Sequence, residues 1–75
     1  METINYAAQN AIGVILYNVK RMLRKAKIEF DNNELVQTVT DKVYEKLSEN
    51  PDAFQGHDID SEAYITTEMF DKYGL

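Results

Sequence analysis

The stretch Ile4-Asn5-Tyr6-Ala7-Ala8-Gln9-Asn10-Ala11-Ile12-Gly13-Val14-Ile15-Leu16-Tyr17-Asn18-Val19-Lys20-Arg21-Met22-Leu23-Arg24-Lys25-Ala26-Lys27 decides how the rest of this 75-residue chain has to fold. On a wheel that advances about 100° per residue, Ile4, Ala8, Ala11, Ile12, Ile15, Leu16, Val19, Met22, Leu23 and Ala26 share one broad sector. That period predicts an amphipathic helix over about 4–27 and argues against a strand, whose apolar residues would alternate. Thr3 and Asn5 are the rival N-caps, since either side-chain oxygen can accept from a free amide of the first turn. The other side of the wheel is less ordinary. Tyr6, Asn10, Gly13, Val14, Tyr17, Arg21 and Arg24 repeat the same rhythm half a turn away, where a plain surface helix would carry Glu, Lys and Gln. Tyr and Arg anchor protein interfaces because each combines a large contact area with hydrogen-bonding atoms. Gly13 costs a helix interior roughly 1 kcal/mol relative to Ala, and it leaves room for another backbone to come close.

Downstream, Ile28-Glu29-Phe30 lead into the turn-forming run Asp31-Asn32-Asn33. Asp31 and Glu34 have the spacing of a capping box, with Asn33 as a competing N-cap. A second helix is predicted over about 33–48. Leu35, Val36, Val39, Val43 and Leu47 lie in one sector, with Gln37, Thr38, Asp41, Lys42, Glu45 and Glu49 opposite. A turn this short favours an antiparallel pair with the first helix.

Asn50-Pro51 stops the second helix, because the residue before proline is pushed out of the helical region and proline has no amide to donate. Pro51 to Phe54 reads as a single turn capped by Asn50, with Phe54 as a core plug, and Gln55-Gly56-His57-Asp58 as a loop. A third helix is predicted over about 61–73 with Asp60 or Ser61 as its N-cap. Ala63, Ile65, Thr66, Met69, Phe70 and Tyr73 form its apolar sector, Ile59 extends it, and Gly74 is its C-cap. Tyr64-Ile65-Thr66-Thr67 is aromatic and β-branched, so a short strand over 63–68 pairing with Ile28 to Phe30 is the alternative. The expected architecture is all-α: one domain, residues 1–75, folded as a small three-helix bundle.

Composition narrows the function. The chain carries 44% hydrophobic and 28% charged residues with one Pro and three Gly, as a folded globular chain does. It has no cysteine, which excludes disulfides and thiolate zinc sites and suits a cytoplasmic location. No secretory signal pattern is present, and Asn5, Gln9, Asn10 and Asn18 interrupt the uncharged segment too often for a membrane span. His57-Asp58-Ile59-Asp60-Ser61-Glu62 is the densest group of metal-ligand types. Counted from Asp58, however, Ala63 and Met69 stand where a calcium loop needs its Gly and Glu. With one His, no phosphate loop, and Ser48 and Ser61 both at helix ends, no catalytic set can be assembled. No metal, cofactor or small-molecule substrate is expected.

Charge is unevenly spread. Residues 1–30 hold five cations against two acids, a net of +3; residues 31–75 hold three against eleven, a net of −8; the whole is −5. Lys20, Arg21, Arg24, Lys25 and Lys27 crowd the end of the first helix, where cations complement its dipole. The same five residues beside Tyr17 are a candidate nucleic-acid patch. The acidic remainder opposes that reading, and a recognition-helix pattern is missing. The expected function is a non-enzymatic protein-interaction module, a regulator, adaptor or inhibitor. It would associate with a second copy or another protein through Tyr6, Asn10, Gly13, Val14, Tyr17, Arg21 and Arg24. Small acidic proteins of this economy are also common among phage and mobile-element inhibitors, so a second alternative has the acidic surface covering a basic site on a target.

Overall fold

The computed structural model describes residues 5–56 and 58–75, and contains three helices: α1 Tyr6–Lys25, α2 Asn32–Glu49 and α3 Ile59–Lys72. Among the described residues there is no strand, and residues 63–68 lie within α3. The expected three-helix, all-α bundle is therefore the observed architecture.

Each helix starts at a side-chain cap. Asn5 Oδ1 accepts from the Ala8 amide at 2.9 Å, and Asp31 Oδ1 accepts from the Glu34 amide at 3.1 Å. Asp31 is thus the N-cap of α2, and Asn33 lies inside the helix. The third cap is Asp58, neither Asp60 nor Ser61: its Oδ1 accepts from the Ser61 amide at 3.3 Å. α3 consequently begins two residues before the expected start. Thr3 and Ile4 lie outside the described residues.

The ends are equally specific. α1 stops at Lys25, two residues before the expected end, because Ala26 and Lys27 form a Schellman turn. Lys27 takes φ 57°, its amide donates to the Arg24 carbonyl at 3.1 Å, and the Ile28 amide reaches back to the Leu23 carbonyl at 2.9 Å. Ile28 then packs against the core. Ala26, expected in the apolar sector, is exposed because it belongs to this turn. Gly74 at φ 73° ends α3 in the same way, with the Leu75 amide donating to the Phe70 carbonyl at 2.8 Å.

Between α2 and α3 the chain makes the expected turn. The Ala53 amide donates to the Asn50 carbonyl at 3.0 Å, and the Asp52 amide to Asn50 Oδ1 at 3.2 Å. Phe54 is buried as expected, but in the left-handed region at φ 68°. Its amide donates to Asp58 Oδ2 at 3.0 Å. One carboxylate thus holds a strained aromatic residue on one side and starts a helix on the other.

The core runs along α1 as Ala8, Ala11, Ile15, Val19 and Leu23. It is met by Leu35, Val39 and Val43 of α2, by Ala53 and Phe54 of the turn, and by Ile65 and Met69 of α3. α1 lies against both other helices. α2 and α3 run antiparallel, since Glu34 meets Lys72 at one end while Lys46 lies over Tyr64 towards the other.

The apolar line of α3 is Ser61, Ile65 and Met69, so its inner face is rotated from the expected sector. Ile59 is 70% exposed, and Ala63 is exposed too. Ser61 can sit inside because its hydroxyl donates to Asp58 Oδ2 at 2.7 Å. Thr66 is accommodated by donating to the Glu62 carbonyl at 2.8 Å. Burial of Ile65 and Met69 on one helical side outweighs the weak local propensity that suggested a strand.

Candidate interaction surface

The wheel position of Tyr6, Asn10, Gly13, Val14, Tyr17, Arg21 and Arg24 carries them about half a turn from the buried line of α1, and all seven are exposed. Tyr6 is 74% and Tyr17 67% exposed, values at which a large amphipathic side chain contributes almost nothing to its own core. Arg21 places its guanidinium 5.9 Å from the centre of the Tyr17 ring, within reach of a cation–π contact. Val14, at 39% exposed, sits on the edge of the stripe.

Gly13 has no internal explanation. A Cβ built there meets nothing within 4 Å, and no positive φ demands a glycine. A helix normally replaces such a residue with Ala, gaining about 1 kcal/mol. The stripe around it is also free of formal charge from Asn5 to Val19.

Beyond Val19 the surface turns basic. Arg21, Arg24, Lys25 and Lys27 are exposed and Lys20 is half-buried. Among the described residues none of the five enters an ion pair, since the pairs present are Lys42–Glu68 and Lys72–Glu34. Arg24 and Lys25 occupy the last turn of α1, where they complement its dipole.

A different kind of surface lies between α2 and α3. Lys42, Glu45, Lys46, Glu49, Tyr64, Ile65 and Glu68 line a cleft of about 220 Å³, below the size of common small-molecule pockets. Lys42 Nζ donates to Glu68 Oε2 at 2.7 Å, and Lys46 Nζ sits 5.6 Å from the Tyr64 ring centre. The hydrogen bond from Lys42, then that from Tyr64, hold the Glu68 carboxyl below its ordinary range. Lys42 is raised, chiefly by its bond to Glu68; Tyr64 is raised by the same carboxylate. These directions keep Glu68 ionised, Lys42 charged and Tyr64 neutral near neutrality, whereas a proton-transfer group needs a pKa close to the working pH. The cleft joins two helices. Its long-range pairing is not legible in the sequence, where Lys42 and Glu68 are simply two charges on separate helices; Tyr44 and Tyr64 are exposed as well, with no pattern in the sequence that marks them.

In the acidic segment whose spacing fails as a calcium loop, Asp58 acts as the cap of α3. His57 lies outside the described residues, and Asp58 spends its oxygens on the Phe54 amide and on both polar groups of Ser61. Those bonds, the Ser61 hydroxyl first and the Phe54 amide next, hold the Asp58 carboxyl below its ordinary value. Among the described residues no three metal-ligating side chains come together, and no helix is long and apolar enough to cross a membrane. No protein-family model, no curated protein and no solved structure matches the chain.

Proposed function

We propose that this protein is a non-catalytic protein-interaction module whose binding surface is the outward stripe of α1, with a second copy of the chain as its simplest partner. The observation that carries the reading is a helix with two sticky sides, of which the bundle covers one. Two tyrosines, a valine and an arginine stand exposed in register around a glycine that the protein's own packing does not require. Tyrosine and arginine are residue types that dominate interface energetics, and the outward placement of the tyrosines does not stabilise the bundle's own core. The test is a photo-reactive amino acid at position 17, irradiated in the cells that make the protein. A discrete protein adduct that disappears in the Tyr6→Ala, Arg21→Ala background supports the surface; irradiation that yields only the unmodified chain sinks it.

A specific observation supports one second reading. Five cations within eight residues, none ion-paired among the described residues, follow the exposed Tyr17, and Arg21 lies over its ring, an arrangement suited to phosphate contact with stacking. The net −8 of residues 31–75 opposes it. A mobility shift with single-stranded DNA or RNA that weakens steeply between about 50 and 200 mM salt would favour this reading, and no shift at low salt would remove it.

A further inference from the structure

The outward stripe of α1 is self-complementary when run against itself in the opposite direction. Numbering pairs that sum to 27 sets Tyr6 level with Arg21, Asn10 level with Tyr17 and Gly13 level with Val14 along the axis. Pairs with a constant sum necessarily share one bisecting line on the wheel, and here that line points away from the buried residues. All six side chains or backbones are exposed. The geometry points to a two-fold symmetric, antiparallel α1–α1 dimer centred between Gly13 and Val14. This inference rests on the reading of the α1 stripe as a protein-binding surface and names both its occupant and its register.

The chemistry of each pair fits. Tyr6 presents an exposed ring to a guanidinium, the contact Arg21 already makes with Tyr17 in its own chain. Asn10 offers an amide to the Tyr17 hydroxyl. Gly13 and Val14 lie on opposite edges of the face, so across the two-fold axis Val14 meets its own counterpart while the missing side chain of Gly13 lets the two backbones approach on the other edge, which gives Gly13 the purpose it lacks in a single copy.

Charge selects the direction. In a parallel pair the two Lys20–Lys27 segments would lie side by side. In the antiparallel pair the two Arg21 positions are separated along the axis by about 22 Å, more than two Debye lengths at physiological salt, and each rests over the uncharged half of its partner. A 20-residue helix offers one face about 30 Å long, so the pair buries roughly 800–1,000 Å² in total, at the small end of specific interfaces. Association in the micromolar range is expected.

The chain has no cysteine, so single-cysteine variants report the register directly. Under mild oxidation at about 200 µM, Val14→Cys, next to the two-fold axis, should form a disulfide dimer at least tenfold faster than Tyr6→Cys. Tyr6→Cys mixed with Arg21→Cys should cross-link faster than either alone. Sedimentation of the unmodified chain should show a concentration-dependent dimer, weakened at least fivefold in Gly13→Ala, while the melting temperature of dilute Gly13→Ala rises. Dimerisation with equal linking of Tyr6→Cys and Val14→Cys would overturn the register but keep the surface. A monomer at 500 µM overturns the second copy as occupant, and a photo-adduct from position 17 of any mass other than twice the chain then leaves the surface with a different protein partner. Loss of the adduct as well is failure of the surface itself.

Discussion

The two faces of α1 are cut from the same twenty residues and obey different rules. On the inner face every residue is accounted for: Ala8 and Ala11 bring the helices close, and Ile15, Val19 and Leu23 fill the space they leave. On the outer face the bundle accounts for far less; Tyr6 is 74% exposed and a Cβ at Gly13 would meet nothing, so either could be replaced by a better helix former without disturbing the core. Where the fold leaves a choice of residue unexplained, the explanation belongs to something outside the fold. The contrast is sharpest between Ile15, fully buried, and Tyr17, two positions on. Ile15→Ala should destabilise the protein by about 2–5 kcal/mol, a large part of what a domain this size holds. Tyr17→Ala should stay within about 0.5 kcal/mol while weakening association. Urea unfolding of the two variants side by side reads the difference, and equal losses would dissolve it.

The accounted-for side extends beyond the apolar core to Asp58. Its carboxylate satisfies the amide of Phe54, held at φ 68°, and the buried hydroxyl of Ser61. Asp58→Ala orphans both and should lower the melting temperature by several degrees, with Asp58→Asn falling between. Because the folded Asp58 carboxyl is held low, its contribution is present above the unfolded carboxylate pKa and is lost as pH falls through the folded value. Thermal melts from pH 7 down through about pH 4 and below should therefore decline less in Asp58→Asn than in the unmodified protein. Identical slopes would show that the charge of Asp58 contributes nothing.

Lys27 stands where the two faces of α1 run out. The Schellman turn needs a left-handed residue there, and the chain supplies a lysine where glycine is the usual choice. Lys27→Gly should relieve strain and stabilise the fold by about 0.5–1 kcal/mol, net of the added freedom of the unfolded chain. If instead stability falls, the lysine stem is packing against something the bundle needs.

These positions also mark what the sequence discloses. Periodicity located all three helices, because Ile15, Leu35 and their neighbours repeat at helical spacing in a chain with few breakers. It placed the outward stripe as well, since whatever lies opposite a buried line must face away. It failed at the ends and at the rotation of α3. Asp58, Asp60 and Ser61 are all competent caps, and only the Phe54 amide, delivered by a turn in the left-handed region, selects Asp58. Once Asp58 caps, Ser61 becomes inward, and Ala63 and Ile59 turn out to solvent. A polar residue in the core line is invisible to a reading that sorts residues by hydropathy.

The smallest effect belongs to the pair Lys42–Glu68, which is on the surface yet fully explained by the fold. At about a third exposed on each side, it should contribute about 0.2–1 kcal/mol, measured as the coupling in a cycle of Lys42→Met and Glu68→Gln. Its pH window follows from the two directions of shift. Glu68 is lowered, so its share is lost as pH falls through the carboxylate range; Lys42 is raised, so its share is present below the unfolded lysine pKa and lost as pH rises through the folded value. The coupling should accordingly be flat between about pH 5 and 9 and shrink in high salt. A value above about 2 kcal/mol exceeds what a solvent-screened pair supplies, and would place the α2–α3 cleft with the buried groups of the bundle.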